Sequence, residues 1–245
     1  MKVSIATPCH DRPELEFVHS LIETMMLLRA RGHRCEWFYI SYADLARARN
    51  EISHRQLVGG ADVCIQIDAD HQWQAEDLVN AIEAVGSGQA DMVGFPITGR
   101  RPALPNRLFI SPGLIEDETG ARPRMPFEGF FFEGTRYAEV YCICGVVVCS
   151  RACLEKLSAG VELDAYDCPI LWAFGAAKNR AGKPISEDLF FSRRWRQMGG
   201  KIHCAIDARV GHVGKVVHTA SYVSWLSAEH QIELDVVEAE DDAAE

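Results

Sequence analysis

The residues best suited to chemistry stand where an apolar run breaks into acid. Val63-Cys64-Ile65-Gln66-Ile67 is followed by Asp68-Ala69-Asp70, two carboxylates separated by one small residue at the end of a buried strand. Ala69 lets the backbone turn sharply, so both acids can reach one cation, or one cation and a ribose. Hard divalent ions such as Mg²⁺ or Mn²⁺ take oxygen ligands and keep room for phosphate oxygens. An ordinary exposed turn has the same composition, so the motif gains meaning only from partners. Two later segments offer them. Glu187-Asp188 opens a predicted helix, where carboxylates also suit the helix dipole. Gly211-His212-Val213-Gly214 presents an imidazole, a fitting ligand for Mn²⁺, between glycines that permit close backbone approach.

Those residues need elements to hold them, and the first half of the chain supplies a regular set. Residues 3–7 read as a buried strand, 14–31 as a helix stopped by Gly32, and 34–40 as a second strand. A second helix is expected over residues 44–58, then a strand over 63–68, a helix over about 75–85 and a strand over 92–95. This alternation predicts a doubly wound parallel sheet. Ligands of such sheets bind beyond the carboxyl ends of the strands, which gathers Pro8, Ser41 and Asp68-Ala69-Asp70.

The second half is less regular. Residues 97–136 are rich in Pro, Gly, Arg and Phe, and an unpatterned run of that length reads as a functional or mobile loop. Residues 139–150 read as one strand, 151–157 as a short helix, and 159–183 show little pattern. A helix over 186–198 has Ser186 as N-cap and Gly199-Gly200 as stop. A last strand over 201–206 and a closing helix over 220–231 complete the reading.

Composition narrows the class. The chain has 245 residues, 48% of them hydrophobic and 24% charged, enough for one substantial α/β core. Its charge of −10 is unevenly placed: residues 233–245 hold seven acids and no base, and removing those from the 35 leaves 28 acids against 25 bases. The expected division is one domain over residues 1–232 and a solvated acidic tail over 233–245. The near-neutral body neither demands nor excludes a polyanionic partner. Pro8 and Asp11-Arg12 interrupt the N-terminal apolar run, unlike a signal peptide, and no apolar stretch reaches the ~20 residues of a membrane helix. Nine cysteines without a Cys-x-x-Cys pair fit reduced, structural thiols. A soluble cytoplasmic protein without a membrane partner is expected.

The joint order of the motifs is more specific than any one of them. The Asp-x-Asp turn, the Glu-Asp helix start and the Gly-His-x-Gly segment occur with Ala6-Thr7-Pro8, Ala48-Arg49-Asn50 and Cys144-Gly145-Val146-Val147-Val148. Glu187-Asp188-Leu189-Phe190-Phe191-Ser192-Arg193-Arg194, followed by Gly199-Gly200-Lys201-Ile202, completes the set. In this the chain resembles GT-A glycosyltransferases, and is similar to compact, single-domain members of glycosyltransferase family 2, over residues 3–215. The resemblance implies a GT-A-like, Rossmann-type α/β fold with a mostly parallel sheet and flanking helices. It also implies metal-dependent transfer of a hexosyl or pentosyl group from a UDP- or GDP-sugar to an acceptor hydroxyl, with Mn²⁺ or Mg²⁺ as cofactor.

Carried over residue by residue, the resemblance makes Thr7 and Pro8 the border of the nucleobase pocket, with Arg49 and Asn50 facing the nucleotide. Asp68 would contact ribose or the metal, Ala69 would shape the turn, and Asp70 and His212 would be the protein ligands. Lys215 would add charge against the diphosphate, and the ion would act on it as a Lewis acid. Asp188 would be the general base toward the acceptor, with Glu187 as the alternative. An inverting displacement needs such a base; in a retaining enzyme the same acid would position substrates. One departure concerns the nucleotide: Ser41-Tyr42-Ala43-Asp44 stands where family members often carry an acid that reads the base, and Asp44 is the acid available.

Residues 99–136 lie where acceptor loops sit in that family, and interleave Arg100, Arg101, Arg107, Arg122 and Arg124 with Phe127, Phe130, Phe131 and Phe132. Arginine among aromatics suits a flipped or single-stranded nucleotide and equally a sugar platform. The acceptor is therefore either a saccharide or small molecule, or a hydroxymethylated base of phage-type DNA in a host cytoplasm. Two rival classes stay open. A nucleotidyltransferase usually has a glycine- and lysine-rich phosphate loop after the first strand, where this chain has Pro8-Cys9-His10-Asp11-Arg12-Pro13. The other rival is a non-catalytic nucleotide-sugar-binding protein.

Overall fold

The computed structural model describes residues 1–41, 44–97, 129–159, 173–175, 177–178, 182, 184–214 and 218–219. Its first elements follow the apolar periodicity closely: β1 (Lys2–Pro8), α1 (Leu15–Ala30), β2 (Arg34–Ile40), α2 (Leu45–Val58) and β3 (Val63–Ile67). β4 (His71–Trp73), α3 (Ala75–Gly86), β5 (Met92–Gly94), β6 (Gly129–Phe132), β7 (Thr135–Glu139), β8 (Val146–Ser150) and α4 (Arg151–Ser158) come next. Then follow β9 (Ala177–Lys178), β10 (Pro184–Ile185), α5 (Glu187–Gln197), β11 (His203–Ala205), β12 (Val210–His212) and β13 (His218–Thr219).

Eight strands form one sheet in the order β2-β1-β3-β8-β5-β11-β7-β6. β1, β2, β3, β5, β6 and β11 share one direction, and β7 and β8 run against them. The sheet is mostly parallel, as expected, and mixed through its two reversed strands. β8 enters antiparallel between β3 and β5, hydrogen-bonded to both. Its Val-Val-Val-Cys run is buried on both faces, and such a run carries no mark of direction. Two boundaries also change. Residues 139–150, read as one strand, comprise the end of β7, a turn and β8, while the end of the expected loop forms the β6–β7 hairpin.

Alternation along the strands builds two apolar layers. Val63, Ile65, Ile67, Val146 and Val148 pack with Phe17, Leu21 and Leu28 of α1 and Leu78 and Ile82 of α3. Cys64, Val147 and Cys149 face the other way, onto Leu154 and Leu157 of α4 and Phe191 and Trp195 of α5. Ala48 and Ile52 of α2 pack on Ala6 and Ile40.

A small second sheet, β13-β12-β4, positions the chemistry. Its antiparallel register sets His71 opposite His212. Trp73 pins β4 to α1, its N–H donating to Ser20 Oγ at 3.1 Å and its indole Nε1 to Thr24 Oγ1 at 2.9 Å. Among the described residues no helix is long and apolar enough to cross a membrane. The closing helix expected over 220–231 and the acidic tail over 233–245 lie outside the described residues.

Candidate active site

β3 delivers Asp68-Ala69-Asp70 at its carboxyl end, and three distant segments pin the turn through its backbone. The Asp68 N–H donates to the Gly145 carbonyl (2.9 Å), the Glu14 N–H to that of Ala69 (2.9 Å), and the Val213 N–H to that of Asp70 (2.7 Å). The Asp70 carboxylate then lies 3.1 Å from His71 Nδ1 and 3.1 Å from His212 Nε2. The two imidazoles stack, centroids 4.7 Å apart and planes 18° apart. Asp70, His71 and His212 each offer a ligand atom within 4.8 Å of the others.

Burial pushes the pKa of His71 down to about 4, with Asp68 opposing the fall and His212 adding to it. The ring is therefore neutral near pH 7, the state that ligates metals. Its Nε2 is buried without a hydrogen-bond partner among the described residues, a costly arrangement for a polar atom unless a further group meets it. The donor set and this orphaned nitrogen fit a divalent cation. Asp68 stands outside the trio. His71 was not singled out from the sequence, although an imidazole directly after the second aspartate of such a turn is the signal that marks it.

Asp68, Ala69 and Asp70 also line a cleft of about 430 Å³, closed by residues 8–12, Glu14, Leu45 and Ala48. The lining holds four carboxylates, Asp11, Glu14, Asp68 and Asp70, against the single arginine Arg12.

Behind the turn lies a buried charge cluster. Arg49 is fully buried; its Nη2 donates to Asp68 Oδ1 at 2.8 Å, while Asp188 Oδ1 and Glu187 Oε1 each lie 3.5 Å from its guanidinium nitrogens. Burial works against the charge of Arg49, but Asp188, Asp68 and Glu187 together hold its pKa above the ordinary value. Asp188, 7% exposed in the first turn of α5, has its pKa pushed up to about 7 by burial. Arg49 and the Gly145 N–H oppose that rise, and the negative charges of Asp68 and Glu187 add to it. A carboxylate titrating near neutrality suits general acid–base work.

Other sequence-derived candidates are placed differently. Pro8 borders the cleft, but Thr7 is fully buried with its Oγ1 accepting from the Trp37 indole at 3.0 Å. Asn50 faces no solvent; its amide donates to the Phe174 carbonyl and accepts from the Phe174 N–H. Asp44 caps α2 by accepting from the Arg47 N–H at 2.9 Å. Lys215, Arg100 and Arg101 lie outside the described residues.

Gly145 joins the two clusters. It sits at φ 69°, and a Cβ there would come 2.7 Å from Ile97 Cδ1 and 3.0 Å from the His71 ring. Gly145→Ala is expected to cost about 1–3 kcal/mol of unfolding free energy. Urea unfolding checks this, and a loss below about 0.5 kcal/mol would contradict the packing described.

No protein-family model matches the chain, and no curated protein matches it. Solved structures resemble it at low identity. A197 from STIV is 13% identical, with 87% of this chain and 85% of that chain covered at a TM-score of 0.48. S. aureus TarS 1–349 in complex with UDP-GlcNAc is 13% identical, with 90% of this chain and 58% of that chain covered at 0.45. The mannose-1-phosphate geranyltransferase of Thermus thermophilus is 14% identical, with coverage of 84% and 74% at 0.42. The chain thus spans little more than half of TarS 1–349 and 37% of the longer TarS chain. With a mixed, mostly parallel sheet flanked by helices and an Asp-x-Asp turn leaving β3, the chain has an α/β fold.

Proposed function

We propose that the chain is a metal-dependent glycosyltransferase that moves a sugar from a nucleoside diphosphate donor to an acceptor hydroxyl. One observation carries this reading: Asp70 belongs both to the Asp70–His71–His212 ligand set and to the wall of the cleft. The cleft volume falls in the range of small-molecule sites. Its four carboxylates repel a diphosphate unless a cation sits beside it, so donor binding and metal binding go together. Asp70, His71 and His212 would hold the ion, and two imidazoles with one carboxylate favour Mn²⁺ over Mg²⁺, which keeps oxygen-rich octahedral shells. Bound there, the ion supplies Lewis-acid neutralisation of the leaving diphosphate.

The remaining steps belong to side chains of this protein. Asp188 takes the proton from the acceptor hydroxyl as that oxygen bonds to the anomeric carbon. The bond from that carbon to the diphosphate oxygen breaks, and its electron pair leaves on the nucleoside diphosphate. The acceptor classes are a saccharide, a small molecule or a hydroxymethylated DNA base.

The test is product identity. The purified chain is incubated with Mn²⁺, UDP- and GDP-sugars, and either saccharides or hydroxymethylated DNA. Release of nucleoside diphosphate supports glycosyl transfer. A parallel incubation with UTP or GTP and a sugar 1-phosphate that releases pyrophosphate identifies a nucleotidyltransferase. Tight donor binding unchanged by Asp188→Ala, with no release under any acceptor, identifies a non-catalytic binder.

A further inference from the structure

Arg49 is fully buried on α2, yet it meets carboxylates from two separate parts of the site. Asp68 belongs to the donor turn, and Glu187 and Asp188 to the first turn of α5. Only the 2.8 Å contact to Asp68 is a hydrogen bond. Arg49 Nε and Nη1, and Asp188 Oδ1, are buried without hydrogen-bond partners among the described residues. Two unused donors on a guanidinium whose Nη2, held by Asp68, lies 3.5 Å from an unused carboxylate oxygen, all out of water, mark an arrangement short of its best pairing. The guanidinium lies 5.6 Å from the centre of the Phe174 ring, which stacks in turn on Phe191 of α5. Gly145 repeats the link through the backbone, its carbonyl accepting from the Asp68 N–H and its N–H donating to the Asp188 carboxyl group.

We propose that Arg49 is a positioning residue shared by the donor turn and the base, tightening on Asp188 when a donor occupies the cleft. A donor hydroxyl that engages Asp68 competes for the oxygen that now holds Nη2. The released guanidinium then closes the 3.5 Å gap to Asp188 and fixes that carboxylate toward the acceptor. The inference rests on the transferase reading, with Asp188 as base. A planar guanidinium holds two carboxylates in a fixed fork geometry, which the compact, rotatable ammonium of lysine does not impose.

The experiment is a double-mutant cycle on donor hydrolysis, with water as acceptor. UDP-glucose, UDP-N-acetylglucosamine and GDP-mannose are the probes with Mn²⁺, on the full chain. Wild type, Arg49→Lys, Asp188→Asn and the double variant are compared, each with its thermal melt. Arg49→Lys keeps the buried charge; if it is unfolded at the assay temperature, Arg49→Gln takes its place in the cycle. Because Arg49 acts through Asp188, kcat should fall about 100-fold in Arg49→Lys, and the double variant should be no slower than Asp188→Asn alone. A kcat within about threefold of wild type, or losses that multiply in the double variant, overturns the proposal. Where water does not serve, the cycle is run with the saccharide or hydroxymethylated DNA acceptors; if the wild type releases nothing with water or with any of them, the transferase reading fails and this proposal with it. Release that Asp188→Asn lowers, with a further loss in the double variant equal to that of Arg49→Lys alone, overturns the Arg49 proposal and leaves the transferase reading standing.

Discussion

Asp70→Ala should remove Mn²⁺ binding and lower nucleoside diphosphate release by about 10³-fold, equivalent to about 4 kcal/mol of transition-state stabilisation. Asp70 is the one member of the ligand trio that touches both the others and the cleft. Without it, a cation ligated by the two imidazoles would lack an anionic partner, and the cleft would lose its link to the metal. The fold should survive, because the Val213 N–H pairs with the backbone carbonyl of residue 70 and not with its side chain. Steady-state kinetics with parallel Mn²⁺ titration checks this. A variant that keeps Mn²⁺-dependent release within about tenfold of wild type would show that the ion is held elsewhere.

Asp188→Asn carries the second large effect. Removing a general base costs about 10²–10⁴-fold in turnover. The pH dependence gives a sharper signature. Burial, with Asp68 and Glu187 adding and Arg49 opposing, places the Asp188 pKa at about 7. Wild-type turnover should therefore fall as the pH drops below about 7, and Asp188→Asn should lack that limb. Stability moves the opposite way. The folded pKa lies above the unfolded one, so the native state holds the extra proton in the window from the ordinary aspartate range up to about pH 7. The stability contributed by this group is full below that window and is lost as the pH rises through 7. Relative to wild type, Asp188→Asn should thus melt higher at pH 8 than at pH 5. Kinetics across pH 5.5–8.5 and thermal melts at the two pH values test both signs. An unchanged acid limb in the variant would assign the titration to another group.

The parts of this site set by local pattern were legible in the sequence. The buried β3 strand and the two acids that end it follow from a run of apolar residues meeting carboxylates, and Ser186 with Glu187-Asp188 announces the start of α5. His71 was not, because its role depends on β4 and β12, three residues each and far apart in the chain, pairing in register. Elements that short have no periodicity to read; tertiary anchors such as Trp73 on Ser20 and Thr24 create them. The direction of β8 was equally hidden, since a doubly buried valine run fits a sheet either way. The roles of Arg49 and Asn50 were displaced for a related reason. Helical spacing places them on one buried face of α2, but only the packed structure brings Asp68 and Phe174 against that face.

The most direct test of the central claim, that Asp70, His71 and His212 join a divalent ion to the nucleotide cleft, is a Mn²⁺ titration followed by electron paramagnetic resonance, with and without UDP or GDP. The expected result is one Mn²⁺ per chain, bound more tightly when the nucleotide is present and lost in His71→Ala. Mn²⁺ binding that ignores both nucleotides, or that persists unchanged in His71→Ala, would contradict it.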